Sequence, residues 1–93
     1  VLDQLSINYR QRTAYYAGQR LMLTPKEFDL LYYLVNNKNI ALSRERILDA
    51  VWGLDYYGDV RTVDTHIKCI RSKLGDWGEK IKTIRKFGYK LEL

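Results

Sequence analysis

Arg61, Thr65, Lys68 and Ser72 recur at intervals of four, three and four residues. At about 100° per residue, that spacing aligns them along one side of a helix. Thr62 and Cys69 fall beside them. The side so formed alternates cations with short hydrogen-bonding groups. It suits the groove of a polyanionic duplex, because short side chains let the backbone approach while Lys and Arg reach phosphates or guanine edges. Nucleophilic and metal chemistry are poorly served. The chain has one His and one Cys; His66 has no partnered Ser, Cys or carboxylate constellation, and a lone cysteine makes neither a Cys-rich metal site nor an internal disulfide. No Gly-rich phosphate-cradling loop or nucleophile motif appears. The expectation is a binding domain without cofactor or metal, not an enzyme.

The elements that must hold this face are legible in the apolar pattern. Val60, Val63, Ile67, Ile70 and Leu74 recur every three or four residues and predict a helix over about 60–74, its stripe turned to the core. Gly75 ends it, and Asp76 to Lys80 turn the chain. Two short strands are expected over Ile81–Arg85 and Tyr89–Leu93 around Lys86-Phe87-Gly88, with Tyr89, Leu91 and Leu93 facing inward, and Thr83 and Arg85 pointing out together. Upstream, Thr24-Pro25-Lys26-Glu27 reads as a capping box with proline at the first helical position. Phe28, Leu30, Leu31, Leu34 and Val35 continue that helix until Asn36-Asn37-Lys38-Asn39. Ile40 to Leu42 form an extended link. Ser43 caps a further helix in which Ile47 pairs with Val51 and Leu48 with Trp52. Gly53 stops it, and Gly53 to Asp59 is a loop. At the N-terminus, Leu5 and Ile7, Thr13 to Tyr16, and Leu21-Met22-Leu23 beyond Ala17-Gly18 predict a small antiparallel sheet with a hairpin near Gly18.

The fold expected is α+β in one domain over 1–93: an N-terminal sheet (1–23), a three-helix core (24–74) and a hairpin (81–93). Ninety-three residues hold one hydrophobic core. No apolar run approaches the roughly 18 residues of a membrane-spanning helix, and no basic-then-apolar leader precedes Leu5, so a soluble, cytoplasmic protein is expected. The missing initiator Met at Val1 suggests a segment removed upstream. Charge is unevenly placed. Residues 1–60 carry seven basic and seven acidic groups, whereas 61–93 carry nine against four, the entire excess of +5. Clustered cations at that end fit a polyanion, although an ordinary solvated surface fits the charge alone.

The sequence resembles the DNA-binding output domain of the OmpR/PhoB family of two-component response regulators. The likeness runs through Leu23 to Leu31, Ser43-Arg44-Glu45 with Val51-Trp52-Gly53, Arg61 to Ile67 with Arg71 to Leu74, and Thr83-Ile84-Arg85 with Gly88-Tyr89. It implies a winged helix-turn-helix, with the helix near 60–74 in the major groove and the hairpin, as wing, in the minor groove. It implies that Arg61, Thr62, Trp52 and Arg71 reach phosphates, and that Thr65, His66, Lys68 and Cys69 face bases or backbone. Thr83, Arg85 and Tyr89 would belong to the wing. The resemblance further implies an upstream receiver domain, binding as a head-to-tail dimer on direct-repeat half-sites, and RNA polymerase as partner of the loop bearing Asp55, Tyr56, Tyr57 and Asp59. Two positions depart from the family pattern: Cys69 stands where several relatives place Arg, and Lys86-Phe87 replaces a commonly Gly-containing pair.

Other readings remain open at this level. Trp52 is a core residue or a phosphate donor through its indole N–H. Cys69 is a small residue at a close contact or a redox-sensitive thiol beside Lys68. Tyr15-Tyr16 and Tyr32-Tyr33 pack sheet on helix or stack on bases. A winged fold also serves protein-interaction modules, since fold does not fix function.

Overall fold

The computed structural model describes residues 4–56 and 58–93. Helix α1 (Pro25–Asn36) begins where the capping box places it: Thr24 Oγ1 accepts from the Glu27 amide at 3.2 Å, and Glu27 Oε1 accepts from the Thr24 amide at 2.9 Å. Ser43 caps α2 (Arg44–Val51) by accepting from the Arg46 amide at 3.1 Å. Helix α3 (Arg61–Leu74) starts one residue later than its apolar stripe suggested. Val60 is the capping residue and is only half-buried, so the buried stripe is Val63, Ile67, Ile70 and Leu74. With Leu30, Leu31, Leu34, Leu42 and Ile47 these side chains make one core.

Two antiparallel three-stranded sheets flank the helices. The first runs β1 (Leu5–Asn8), β2 (Thr13–Tyr16), β3 (Gln19–Arg20), with Leu5 opposite Tyr16 and Tyr15 opposite Arg20. The third strand was expected at Leu21–Leu23. The turn at Ala17-Gly18, both at positive φ, is so tight that pairing resumes at Gln19 and ends with the Leu21 amide, which donates to the Ala14 carbonyl at 2.8 Å.

The second sheet is larger than the expected hairpin. Strands β5 (Ile81–Ile84) and β6 (Gly88–Leu91) are joined by β4 (Leu42–Ser43), formed from the end of the expected link and the capping Ser43, in the order β4-β6-β5. Gly88 makes that pairing feasible. A Cβ there would overlap the Leu42 carbonyl oxygen and press on Ser43 Cα at 2.9 Å. Leu93, expected inward, lies beyond β6 and is exposed. The turn expected over Asp76 to Lys80 is a 3-10 helix, Gly75–Lys80. It buries Trp77 and seats Gly78 against the α3 backbone, where a Cβ would stand 2.7 Å from the Arg71 carbonyl oxygen.

Candidate nucleic-acid interface

The outward side of α3 carries the residues its spacing promised. Arg61, Thr65, Lys68, Cys69 and Ser72 are all exposed, while the stripe behind them is buried. Thr65 Oγ1 donates to the Arg61 carbonyl at 3.2 Å, which holds the hydroxyl close to the helix. Cys69 is a free, exposed thiol, as the helical wheel required. Thr62 and His66 sit at the margin, half-buried. His66 Nδ1 lies 2.8 Å from the Thr62 carbonyl oxygen. A carbonyl only accepts, so this nitrogen carries the proton and Nε2 is the free acceptor in the neutral ring. Trp52 closes the same edge. It is half-buried, its ring meets the His66 imidazole edge-on at 4.9 Å, and the Lys26 ammonium lies 5.9 Å from its centroid.

The N-terminus of α3 is stabilised by Asp59. Its carboxylate accepts from the Arg61 amide at 2.9 Å and from Arg61 Nε at 3.0 Å, doing the work that apolar Val60 at the capping position cannot. The Arg61 amide, and then its guanidinium, hold the Asp59 carboxyl below its ordinary range. Asp59 was expected as part of a partner-facing loop; it is exposed and bonded to Arg61 of the basic face. In that loop Leu54, Asp55 and Tyr56 are exposed, and Tyr57 lies outside the described residues.

Two residues assigned to the basic surface make bonds within the protein. Tyr89 is buried, and its hydroxyl donates to Asp64 Oδ1. Burial, with the neighbouring carboxylate, raises its pKa, so the phenol keeps the proton it donates. Arg71 turns towards the wing. Its Nε donates to the Ile81 carbonyl at 3.1 Å and its Nη2 to Thr83 Oγ1 at 2.9 Å, so two of its three guanidinium nitrogens are committed within the protein. At the wing tip Arg85, Lys86 and Phe87 are exposed, and Thr83 is exposed beside Arg71. Lys86 takes φ 62°, the left-handed region a Gly-containing pair would occupy more easily.

Other charged groups tie the frame together. Arg44 Nε donates to Asp64 Oδ1 at 2.8 Å. Lys73, at the far end of α3, meets buried Glu27 of α1 at 2.6 Å. Burial pushes the Glu27 carboxyl up, but the Lys73 ammonium and the Thr24 amide outweigh it and leave the group below its ordinary pKa. Among the described residues no cluster of His, Cys, Asp and Glu could hold a metal ion, and no helix is long and apolar enough to cross a membrane.

Residues 18–91 match the family described as transcriptional regulatory protein, C terminal. The chain belongs to this family. It is 46% identical to the alkaline phosphatase synthesis transcriptional regulatory protein PhoP of Bacillus subtilis, with 99% of this chain covered but only 40% of that protein. The chain thus spans about two fifths of such relatives. Its fold is shared with the DNA-binding domain of Bacillus subtilis CssR (TM-score 0.85, 39% identity, 94% of this chain and 98% of that one). It is also shared with the DNA-binding domain of Klebsiella pneumoniae RstA in complex with RstA box (TM-score 0.83, 30% identity, 96% and 91% covered). The domain is therefore a winged helix-turn-helix of OmpR/PhoB-type regulators, a transcription-factor domain and not an enzyme.

Sequence reasoning missed Asp64, Arg44, Gly88 and Trp77 as residues that place this surface. Asp64 was visible as the one acid among the cations of α3. Its partners lie 20 and 25 residues away, out of reach of any local pattern.

Proposed function

We propose that this chain binds double-stranded DNA in a sequence-specific manner as the output domain of a two-component transcriptional regulator. Its α3 would lie in the major groove and its wing in the adjoining minor groove. The observation that carries the reading is the geometry of α3: a buried stripe on one side, and Arg61, Thr65, Lys68, Cys69 and Ser72 exposed on the other, next to a basic hairpin tip. Arg61 and Thr62 are suited to phosphates, and so is Trp52 through its indole N–H. Thr65, Lys68 and Cys69 are suited to base edges, with His66 offering Nε2 at the margin. Arg85 and Thr83 serve the wing. The similarity to the RstA domain, whose complex holds its DNA box, supports the same mode here.

The remaining partners follow from the family. A receiver domain would precede this chain in the cytoplasmic full-length protein, and two copies would sit head to tail on direct-repeat half-sites. RNA polymerase would meet the Gly53–Asp59 loop. The exposed Leu54, Asp55 and Tyr56 support that last role, because an acidic and apolar surface suits a protein better than phosphate. Asp59 would serve mainly by holding Arg61.

Selection of bound duplexes from a random-sequence pool, followed by titration of the winner in rising salt, tests the reading. Enrichment of one motif is expected, with an affinity falling steeply between about 50 and 200 mM salt at a log–log slope of about −0.9 per neutralised phosphate. A pool that stays random, or an affinity indifferent to salt, contradicts it.

A further inference from the structure

Asp64 is out of place for an electrostatic account of α3. It lies one turn from Arg61 and next to Thr65, on the helix that would enter a polyanion, and its side chain is still 38% exposed. A carboxylate so placed repels phosphates. Its bonds show what it does instead. Oδ1 accepts from Arg44 Nε, at the start of α2, and from the Tyr89 hydroxyl on β6. One oxygen thus joins α2, α3 and the central wing strand. The Arg44 and Arg71 guanidinium carbons stand 5.3 and 5.6 Å from the Tyr89 ring centroid, so both cations lie against this phenol.

Seven residues further along α3, two turns and about 10 Å on the same side, Arg71 bonds the Ile81 carbonyl and Thr83 Oγ1 of β5. Thr83 and Tyr89 are directly opposite each other in the sheet. The two attachments of α3 therefore converge on one cross-strand pair. A rod held at one point pivots, whereas one held at two points has its angle fixed as well. Two residues beyond Thr83 stands Arg85, exposed at the wing tip.

We propose that Asp64, through Tyr89 and Arg44 and together with Arg71, is a positioning residue that locks the angle between α3 and the wing, so that major-groove and minor-groove contacts fall in register on one duplex. This rests on the DNA-binding reading above. It gives the acid a sign opposite to simple electrostatics. Removing Asp64 removes a charge that repels phosphate, yet weakens specific binding.

The test uses a duplex selected by the wild-type chain from a random pool and a scrambled duplex of equal length, with circular dichroism and thermal melting reporting the fold. Asp64→Ala is expected to bind the selected duplex about tenfold more weakly, the scale of coupling between linked sites, with the scrambled duplex bound as well as before or better. Arg85→Ala should weaken the wild type by a similar factor but cost little once Asp64→Ala is present, because an unregistered wing has little left to lose. Asp64→Asn, which keeps an acceptor oxygen, should restore most of the preference and the Arg85 effect. Should Asp64→Ala not fold, Tyr89→Phe carries the same expectation of non-additivity with Arg85→Ala. Tighter binding of both duplexes by Asp64→Ala, or strictly additive losses with Arg85→Ala, overturns the proposal and leaves DNA binding intact. A wild-type chain that selects no duplex overturns both.

Discussion

The β1–β2–β3 and β4–β6–β5 sheets have the same number of strands and are both antiparallel, and each is tied down by an Arg–Asp pair with the guanidinium against an aromatic ring, yet these ties run to different helices. The N-terminal sheet is sewn from consecutive strands and leans on α1. Arg12 pairs with Asp29 at 2.5 Å and lies over the Phe28 ring at 4.6 Å, and Tyr9 stacks on Tyr32 at 4.5 Å. The C-terminal sheet recruits β4 to pair with residues 45 or more positions away and is tied to α2 and α3 through Arg44, Asp64 and Arg71. Sheets of one size thus do two jobs. The first adds Leu5 to the core and packs on α1; the second carries a surface whose position relative to α3 matters.

Gly88→Ala should be the most damaging single change to this contrast. Its new methyl meets backbone rather than a flexible side chain, so β4 and β6 must part. A loss of about 3 kcal/mol is expected in urea unfolding, with DNA binding falling alongside. An intact midpoint would mean that the two strands have more freedom than their pairing suggests.

Glu27→Ala comes next, at about 2 kcal/mol, because it removes half of a capping box and leaves Lys73 without its partner. That figure is kept modest because the Lys73 side chain is 37% exposed and solvent screens the pair. The group also shapes the acid limb. Its folded pKa lies below its unfolded one, so its contribution is complete above the ordinary carboxylate range and fades as pH drops through the folded value. Glu27→Gln should accordingly flatten the fall in stability on acidification, which thermal melts across pH would record.

Gly18→Ala tests the N-terminal sheet at its turn. The position has φ 83° and open space around it, so the cost is conformational alone, about 1 kcal/mol, and DNA affinity should not change. Smaller still is Tyr15→Ser, on the exposed face of β2, which should stay within about 0.5 kcal/mol. A loss of DNA binding in either variant would blur the division of labour between the sheets.

Legibility in the sequence followed the range of the interactions. The α1 capping box, the Ser43 cap and the α3 stripe each repeat over a few residues, and all were readable. Strand β4 was not, because Leu42–Ser43 carries no alternation and exists only through its pairing with Gly88 and Tyr89. Aromatic packing between sheet and helix was anticipated from Tyr15-Tyr16 against Tyr32-Tyr33. Tyr16 and Tyr33 do pack against the core and Tyr32 stacks on Tyr9, which follows β1, while Tyr15 stays exposed. On the surface itself, exposure of Arg61, Thr65, Lys68 and Cys69 was fixed by helical angle and could be read. The bonds that Arg71 and Tyr89 make within the protein depend on partners elsewhere in the fold and could not.

Dimethyl sulfate probing of the selected duplex bears most directly on the paired surface formed by α3 and the wing, because the reagent modifies guanine N7 in the major groove and adenine N3 in the minor groove. Bound wild-type chain should protect guanines within one major-groove segment together with adenines in the minor groove beside it, and Arg85→Ala should free the adenines while the guanines stay covered. Protection confined to a single groove, or minor-groove protection indifferent to Arg85, would contradict a surface built to read both.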